Sequence, residues 1–202
     1  MARSLRRGCV TLAVAAGMTV ASVGPAAAQT VTVNDARGDV LRYTMVDENT
    51  EPEAAAAPGV TNGDVVRTTI AHTATRVAVR VKFADLKRTG ELRGDFLSLR
   101  TNEGVRREVS LMAGPGMWRG QVEMTRPNGR PVRYAVRHQI NYDTNVVRVS
   151  FPRRCVSAPR WVQLGLGSMW AGSGMETFYM DDAQLDGQVG DVLAWSPRVR
   201  RG

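Results

Sequence analysis

The feature that most constrains this chain is a strict alternation of side-chain character over residues 76–83. Successive side chains of an extended strand point to opposite faces, so three valines and a phenylalanine share one face, while arginine and lysine side chains dominate the other. One apolar and one charged face are typical of an antiparallel sheet that covers a core on one side only. The alternation therefore predicts a half-buried antiparallel strand.

Similar segments follow at short intervals and are separated by turn-forming residues. The expected strands are residues 64–72, 76–83, 96–100, 106–112, 120–125, 131–138, 139–142, 146–151, 161–167 and 176–180. We expect the first eight to form four hairpins of consecutive strands, with Asn128-Gly129 marking the third turn. Residues 47–63 are expected to form a long surface loop. This spacing predicts an all-β fold, a single antiparallel β-sandwich of jelly-roll-like type.

The apolar face of each expected strand predicts one hydrophobic core. The expected core residues are Val66, Ile70, Val77, Val79, Val81, Phe83, Leu97, Leu99, Val136, Val147, Val149, Phe151, Val162 and Leu164.

The N-terminus has the layout of a targeting segment. Three arginines precede an uncharged stretch, Cys9–Gly24, and Pro25 and three alanines follow it. This layout predicts a signal peptide over residues 1–28, cleaved after Ala28, and a secreted domain over residues 29–202. The apolar stretch is shorter than the roughly 20 residues that a membrane span needs, so no transmembrane segment is expected in the mature chain.

The net charge and the cysteine content limit the kinds of partner that the protein is expected to bind. The formal net charge is +8, but three of the arginines lie in the expected signal peptide and the others mostly alternate along strands. We therefore expect no nucleic-acid partner, and a weak affinity for anionic envelope polymers as a minor possibility. Cleavage leaves Cys155 as the one cysteine, which is interpreted either as a small buried hydrophobe or as a thiol for an intermolecular disulfide.

Aspartates at both ends of the domain are candidate metal ligands. Asp35 and Asp39 share one tight turn around Gly38, and Asp181 or Asp182 joins them if the last strand pairs beside the first. Calcium takes six to eight oxygen ligands and tolerates irregular loops, so these four aspartates form a candidate calcium site. The alternative is an ordinary turn in which the aspartates cap backbone amides.

Two tryptophans are candidate ligand-binding residues. Trp118 and Trp170 each adjoin glycine-rich segments, and exposed aromatic rings of this kind stack on sugar faces. The alternative is that both rings cap the end of the sandwich core.

Several short motifs resemble a known group of proteins. They are Asp35–Asp39, Ile70–His72, Phe83–Leu86, Tyr179–Ala183 and Ser196–Gly202. Their layout resembles small secreted β-sandwich proteins of high-GC Gram-positive bacteria and, more distantly, family 9 carbohydrate-binding and DOMON-type domains. The resemblance implies the sandwich fold and export, permits a structural calcium ion, and implies no reaction.

The leading functional hypothesis is a secreted, non-catalytic binding or structural domain that contacts cell-envelope or extracellular glycans, and no catalytic residue is assigned. The alternative is an extracellular hydrolase acting on polysaccharide or ester bonds, with Asp181, Asp182 or His72 in its site. No Gly-x-Ser-x-Gly motif supports an esterase nucleophile.

Overall fold

The structure, a computed structural model, describes residues 29–45, 52–190 and 192–202 and is built from β-strands. The expected signal peptide, residues 1–28, lies outside the described residues. The strands are β1 Gln29–Asn34, β2 Leu41–Thr44, β3 Glu53–Ala56, β4 Val65–His72, β5 Arg76–Phe83, β6 Leu92–Thr101, β7 Arg106–Ala113, β8 Gln121–Thr125, β9 Arg137–Asn141, β10 Val146–Pro152, β11 Trp161–Ala171, β12 Thr177–Asp182 and β13 Val199–Arg200. Among the described residues, no helix has the length and apolar character that crossing a membrane requires.

The strands form two antiparallel sheets that pack face to face, which confirms the all-β sandwich. Sheet one has the order β1-β4-β5-β10-β9. Sheet two has the order β3-β2-β12-β11-β6-β7-β8, and β13 pairs with β11 beside it. The chain crosses between the sheets after β1, so the β1–β2 connection passes over one end of the sandwich.

Three of the four expected hairpins are confirmed, namely β4–β5, β6–β7 and β9–β10. The hairpin expected between residues 120–125 and 131–138 is wrong as a strand pair. An isolated bridge between Thr125 and Pro131 and the hydrogen bond from the Val132 N–H to the Met124 carbonyl oxygen join the segments, and the second becomes a strand only from Arg137. Pro131 has no backbone N–H for a ladder. Strand β9 then begins at Arg137 and pairs in the other sheet.

The surface loop expected over residues 47–63 is also wrong in part. Glu53–Ala56 forms β3, which pairs with β2 at the edge of sheet two. Residues 47–51 of that segment lie outside the described residues.

The core lies between the sheets and contains most of the expected residues. Val65, rather than Val66, is buried, because a bulge in β4 between Val65 and Arg67 shifts the alternation by one residue. Val136 is half-buried and packs against the edge of the core. Each fully buried valine, leucine or phenylalanine stabilises the fold by about 1.5–3 kcal/mol.

Cys155 lies in a short 3₁₀ turn after β10 and is 1% exposed. Burial raises the pKa of its thiol, which favours the neutral form. The structure therefore supports the interpretation of Cys155 as a small buried hydrophobe.

Candidate cation site and neighbouring loops

The β1–β2 connection brings two aspartates to one end of the sandwich. Asp35 follows β1 directly, and Asp39 lies two residues before β2. Gly38 between them has φ +73°, which favours glycine, and an added Cβ would lie 3.0 Å from the carbonyl oxygen of Pro58. The backbone N–H of Gly38 donates to Asp64 Oδ2 at 2.9 Å, so the turn is fastened to the start of β4.

Two further aspartates come from the facing sheets. Asp64 immediately precedes β4 in sheet one, and Asp181 lies in β12 of sheet two. Their exposed fractions are 1% and 3%. Asp181 Oδ2 accepts a 2.6 Å hydrogen bond from the N–H of Val65, which connects the two sheets at this end.

Five carboxylates meet here as two overlapping groups, which we name the acid cluster: Asp35, Asp39, Asp64, Asp181 and Asp186. In each group, one oxygen from every member lies within 4.8 Å of the others. One group is Asp35, Asp39 and Asp186, and the other is Asp39, Asp64 and Asp181. Asp39 belongs to both, so the cluster is continuous.

Four members of the acid cluster divide their oxygens in the same way. In each, one oxygen accepts a hydrogen bond from a backbone N–H. Ala36 donates to Asp35, Gly187 to Asp39, Gly38 to Asp64, and Val65 to Asp181. The second oxygen is buried and has no hydrogen-bond partner; these atoms are Asp35 Oδ2, Asp39 Oδ1, Asp64 Oδ1 and Asp181 Oδ1. Buried polar atoms are normally paired, so four such acceptors in one cluster favour the binding of a cation or of protons among them.

The pKa values of the acid cluster reflect the same concentration of buried carboxyl groups. Burial, followed by the charges of Asp181 and Asp39, raises the pKa of Asp35 to about 8. Burial also raises the pKa of Asp181 to about 7, with further contributions from Asp39 and Asp64. The two ion pairs found among the described residues involve Asp85 and Asp95, outside the cluster. A cation bound among these carboxyls would favour their ionised forms.

Three of the four expected metal ligands meet in this cluster, and Asp182 does not. Its side chain points to the opposite face of β12, as alternation requires, and accepts the N–H groups of Gln184 and Ala194 at 3.2 Å and 2.9 Å. Asp181 reaches the cluster although β12 pairs with β2 and not with β1, so the pairing named above as a condition is not needed.

Sequence reasoning missed Asp64 and Asp186. Asp64 was included in an expected strand, and Asp186 is an exposed residue of the turn after β12. The sequence signal for these two residues is that aspartates recur near the ends of strands, and that signal does not show which strand ends meet.

The residues of the alternative hydrolase site do not converge. His72 is the last residue of β4, so the other seven residues of that strand lie between it and Asp64. It is fully buried, and its Nδ1–H donates to the carbonyl oxygen of Val199 at 3.1 Å. Burial lowers the pKa of His72, so the ring is neutral.

The loop after β5, residues 84–91, connects the acid cluster to both candidate tryptophans. Ala84 N–H donates to the backbone carbonyl of Asp64 at 2.8 Å, and Lys87 N–H donates to Asn62 Oδ1 at 2.9 Å. Trp170 Nε1–H in turn donates to the carbonyl of Thr89 at 2.8 Å. The cluster and the loop are therefore one hydrogen-bonded unit.

The two candidate tryptophans are both half-buried, but their surroundings differ. Trp170 stacks on Tyr179 with ring centroids 4.8 Å apart, and its N–H is used by the loop. Trp118 meets Tyr142 edge to face at 6.2 Å, and the Tyr142 hydroxyl donates to the Trp118 carbonyl. Trp170 thus supports the loop, whereas Trp118 lines a surface hollow beside it.

Comparison with known proteins gives no match to a family model, a curated protein or a solved structure.

Proposed function

We propose that this chain is a secreted, non-catalytic β-sandwich binding domain whose fold is completed by a calcium ion in the acid cluster. The observation that carries the proposal is the set of four buried carboxylate oxygens without hydrogen-bond partners, supplied by Asp35, Asp39, Asp64 and Asp181. A cation among them neutralises charges that otherwise repel one another.

The donor set favours calcium among the common metal ions. All five cluster members are carboxylates, and hard oxygen ligands select calcium or magnesium over zinc and copper. The ligands come from three loops and one strand and converge irregularly, which suits the flexible coordination of calcium better than the strict octahedron of magnesium.

The non-catalytic role is supported by the described positions of the three residues suggested for a hydrolase, which do not form an acid–base pair with one another. Asp181 and Asp182 point to opposite faces of β12, and Asp182 is occupied by two backbone N–H groups. His72 is neutral, buried and at the far end of β4. Asp181, Asp182 and His72 therefore do not form the shared site that the hydrolase alternative requires.

Export and glycan contact complete the proposal. Export is supported by the signal-like segment over residues 1–28, and glycan contact by the half-buried Trp118 at the loop end of the sandwich. The resemblance to carbohydrate-binding domains agrees with both.

The experiment is a thermal melt of the protein in calcium and in chelator. Calcium at about 100 times its Kd adds about 2.7 kcal/mol, which corresponds to a rise of about 5–10 °C for a domain of this size. Asp181→Asn is expected to lose most of this rise, because it removes one carboxylate with little change in shape. Identical wild-type midpoints in calcium and chelator would contradict the proposal.

Asp182→Asn is the matched control. It changes the neighbouring buried aspartate, whose oxygens serve the backbone of residues 184–194. We expect a lower melting temperature in chelator but an undiminished rise with calcium. A rise abolished equally in both variants would point to general destabilisation.

A further inference from the structure

We propose that the hollow beside Trp118 is the ligand site of this domain and that it takes an acidic saccharide, a sugar ring carrying a carboxylate or sulfate. The hollow has a volume of about 460 Å³ and is lined by Arg88, Gly116, Met117, Trp118 and Arg119. This inference rests on the proposed function, because it names the ligand class of a domain proposed to bind glycans.

The hollow is shaped by two consecutive turns between β7 and β8. Met117 N–H donates to the Gly114 carbonyl, and Gly120 N–H donates to the Met117 carbonyl, both at 2.9 Å. Gly116 has φ +76° and open space around it, so the wall of the hollow is low at this point. Two closed turns fix the backbone of Trp118 before any ligand arrives.

Arg88 is positioned from the opposite side by the loop that the acid cluster anchors. Its guanidinium lies over the ring of Tyr142, 4.7 Å from the centroid. The same Tyr142 donates its hydroxyl to the Trp118 carbonyl at 2.9 Å. One tyrosine therefore connects the cation and the indole that line the hollow.

The charge of the hollow is uncompensated. Arg88 and Arg119 are exposed, and neither belongs to an ion pair among the described residues. A guanidinium can donate two parallel hydrogen bonds to a carboxylate or sulfate while one of its flat faces remains stacked on an aromatic ring. Two arginines beside an indole therefore suit a ligand that combines an anionic group with an apolar sugar face.

A saccharide is favoured over single-stranded nucleic acid by the aromatic content of the hollow. Nucleic-acid surfaces stack successive bases on several aromatic rings along a basic groove. Here Trp118 is the one aromatic residue among those that line the hollow. The hollow is also compact, with a size suited to one or two sugar units.

The test is titration calorimetry of the protein, in calcium buffer, with hexasaccharides of hyaluronan and of chondroitin sulfate. The negative-control ligand is the carboxyl-reduced hyaluronan hexasaccharide, which keeps the sugar rings and loses the charge. We expect binding of an acidic hexasaccharide and at least about tenfold weaker binding of the reduced one. Absence of binding by both acidic hexasaccharides would overturn the proposal, as would equal binding of a thymidine hexanucleotide.

Matched variants separate this hollow from general charge. The double variant Arg88→Gln/Arg119→Gln is expected to weaken binding at least about tenfold, and Trp118→Leu to weaken it without changing net charge. Arg80→Gln/Arg130→Gln removes the same charge from exposed positions on β5 and on the turn after β8, and should keep affinity within about threefold. Equal losses in the two double variants would overturn the site.

The calcium melt of the same variants distinguishes this inference from the proposed function. Arg88→Gln/Arg119→Gln leaves the acid cluster intact, so its rise in melting temperature with calcium should match that of the wild type. A normal rise with no acidic-saccharide binding would overturn the hollow and leave the calcium proposal standing. Binding by a protein whose midpoint ignores calcium would do the reverse.

Discussion

At the scale of single residues, Gly38 decides whether the acid cluster forms. Its φ of +73° turns the chain between Asp35 and Asp39, and its N–H fixes one oxygen of Asp64. The other oxygen is thereby left facing the cluster. A side chain at position 38 would disturb three ligands through one turn.

The residue-scale prediction is that Gly38→Ala destabilises the protein more than Gly129→Ala. Both glycines have nearly the same φ, +73° and +74°, so both variants incur a similar backbone strain of about 1 kcal/mol. Only the Cβ at position 38 meets a neighbour within 4 Å, the Pro58 carbonyl oxygen at 3.0 Å.

Urea denaturation of both variants in calcium and in chelator checks this. We expect Gly38→Ala to lose about 1–2 kcal/mol more than Gly129→Ala and to respond less to calcium. An equal loss for the two, with equal calcium responses, would show that the turn does not control the cluster.

Residue types and local alternation predicted part of this site. The spacing of Asp35 and Asp39 around Gly38 marked a shared turn, and alternation in β12 required Asp181 and Asp182 to part. Asp64 was missed because its role depends on a contact between two connecting segments, the hydrogen bond from the Gly38 N–H to Asp64, which are 26 positions apart in the sequence. Local periodicity carries no information on such contacts.

At the scale of elements, hairpins were predictable and crossovers were not. The β4–β5 pair follows from alternation and a short turn, and its register places Val79 opposite Ile70. The bulge that buries Val65 instead of Val66 leaves no mark in the apolar pattern, because both residues are valines. A correct prediction for the segment after β8 would have required weighing the effect of Pro131 against that of the Asn128-Gly129 turn.

Strand β13 is a short element with a large expected effect on stability. Val199 is fully buried, pairs with Val162 of β11, and accepts the Nδ1–H of His72 through its carbonyl oxygen. Two residues thus cover the end of the sandwich opposite the acid cluster.

The element-scale prediction concerns Val199→Ala. Loss of two buried methyl groups and the cavity that remains should lower the free energy of unfolding by about 2 kcal/mol. Arg200→Ala, at the exposed neighbouring position, should change it by less than about 0.5 kcal/mol. Chemical denaturation measures both, and similar values would mean that β13 does not close the core.

At the scale of the whole molecule, the two ends of β4 lie in different electrostatic surroundings. Carboxylates gather where β4 begins, whereas Arg153 and Arg201 lie close enough to His72, at the other end of β4, to help lower its pKa. The formal net charge of +8 does not show this difference in local surroundings. It arises because the sheet topology places Asp64 and His72 at opposite ends of β4.

The raised pKa values in the acid cluster predict that stability depends on pH differently with and without calcium. The pKa values of Asp35 and Asp181 are raised from 3.8 to about 8 and about 7 in the folded protein. In chelator the folded state therefore binds protons that the unfolded state has released above pH 4, so stability falls as pH rises through 7 and 8. Bound calcium replaces those protons, so this fall should disappear in calcium.

The informative window is pH 6.5–8.5. His72 has a lowered pKa in the fold and an ordinary value of 6.5 in the unfolded chain, so it lowers stability mainly as pH falls below 6.5. Above that pH its contribution to the slope is small and opposite in sign to that of the carboxyls. Across this window the free energy of unfolding of the chelated protein should fall by on the order of 2 kcal/mol, seen as a melting temperature lower by about 4–8 °C at pH 8.5.

With saturating calcium the melting temperature should be the same at both ends of this pH window, because the carboxylates are ionised throughout. Asp181→Asn in chelator should show a shallower fall, since one of the two titrating groups is gone. Parallel slopes in calcium and chelator would mean that cation and proton do not compete for the same carboxylates, and the acid cluster would then be a set of turn caps.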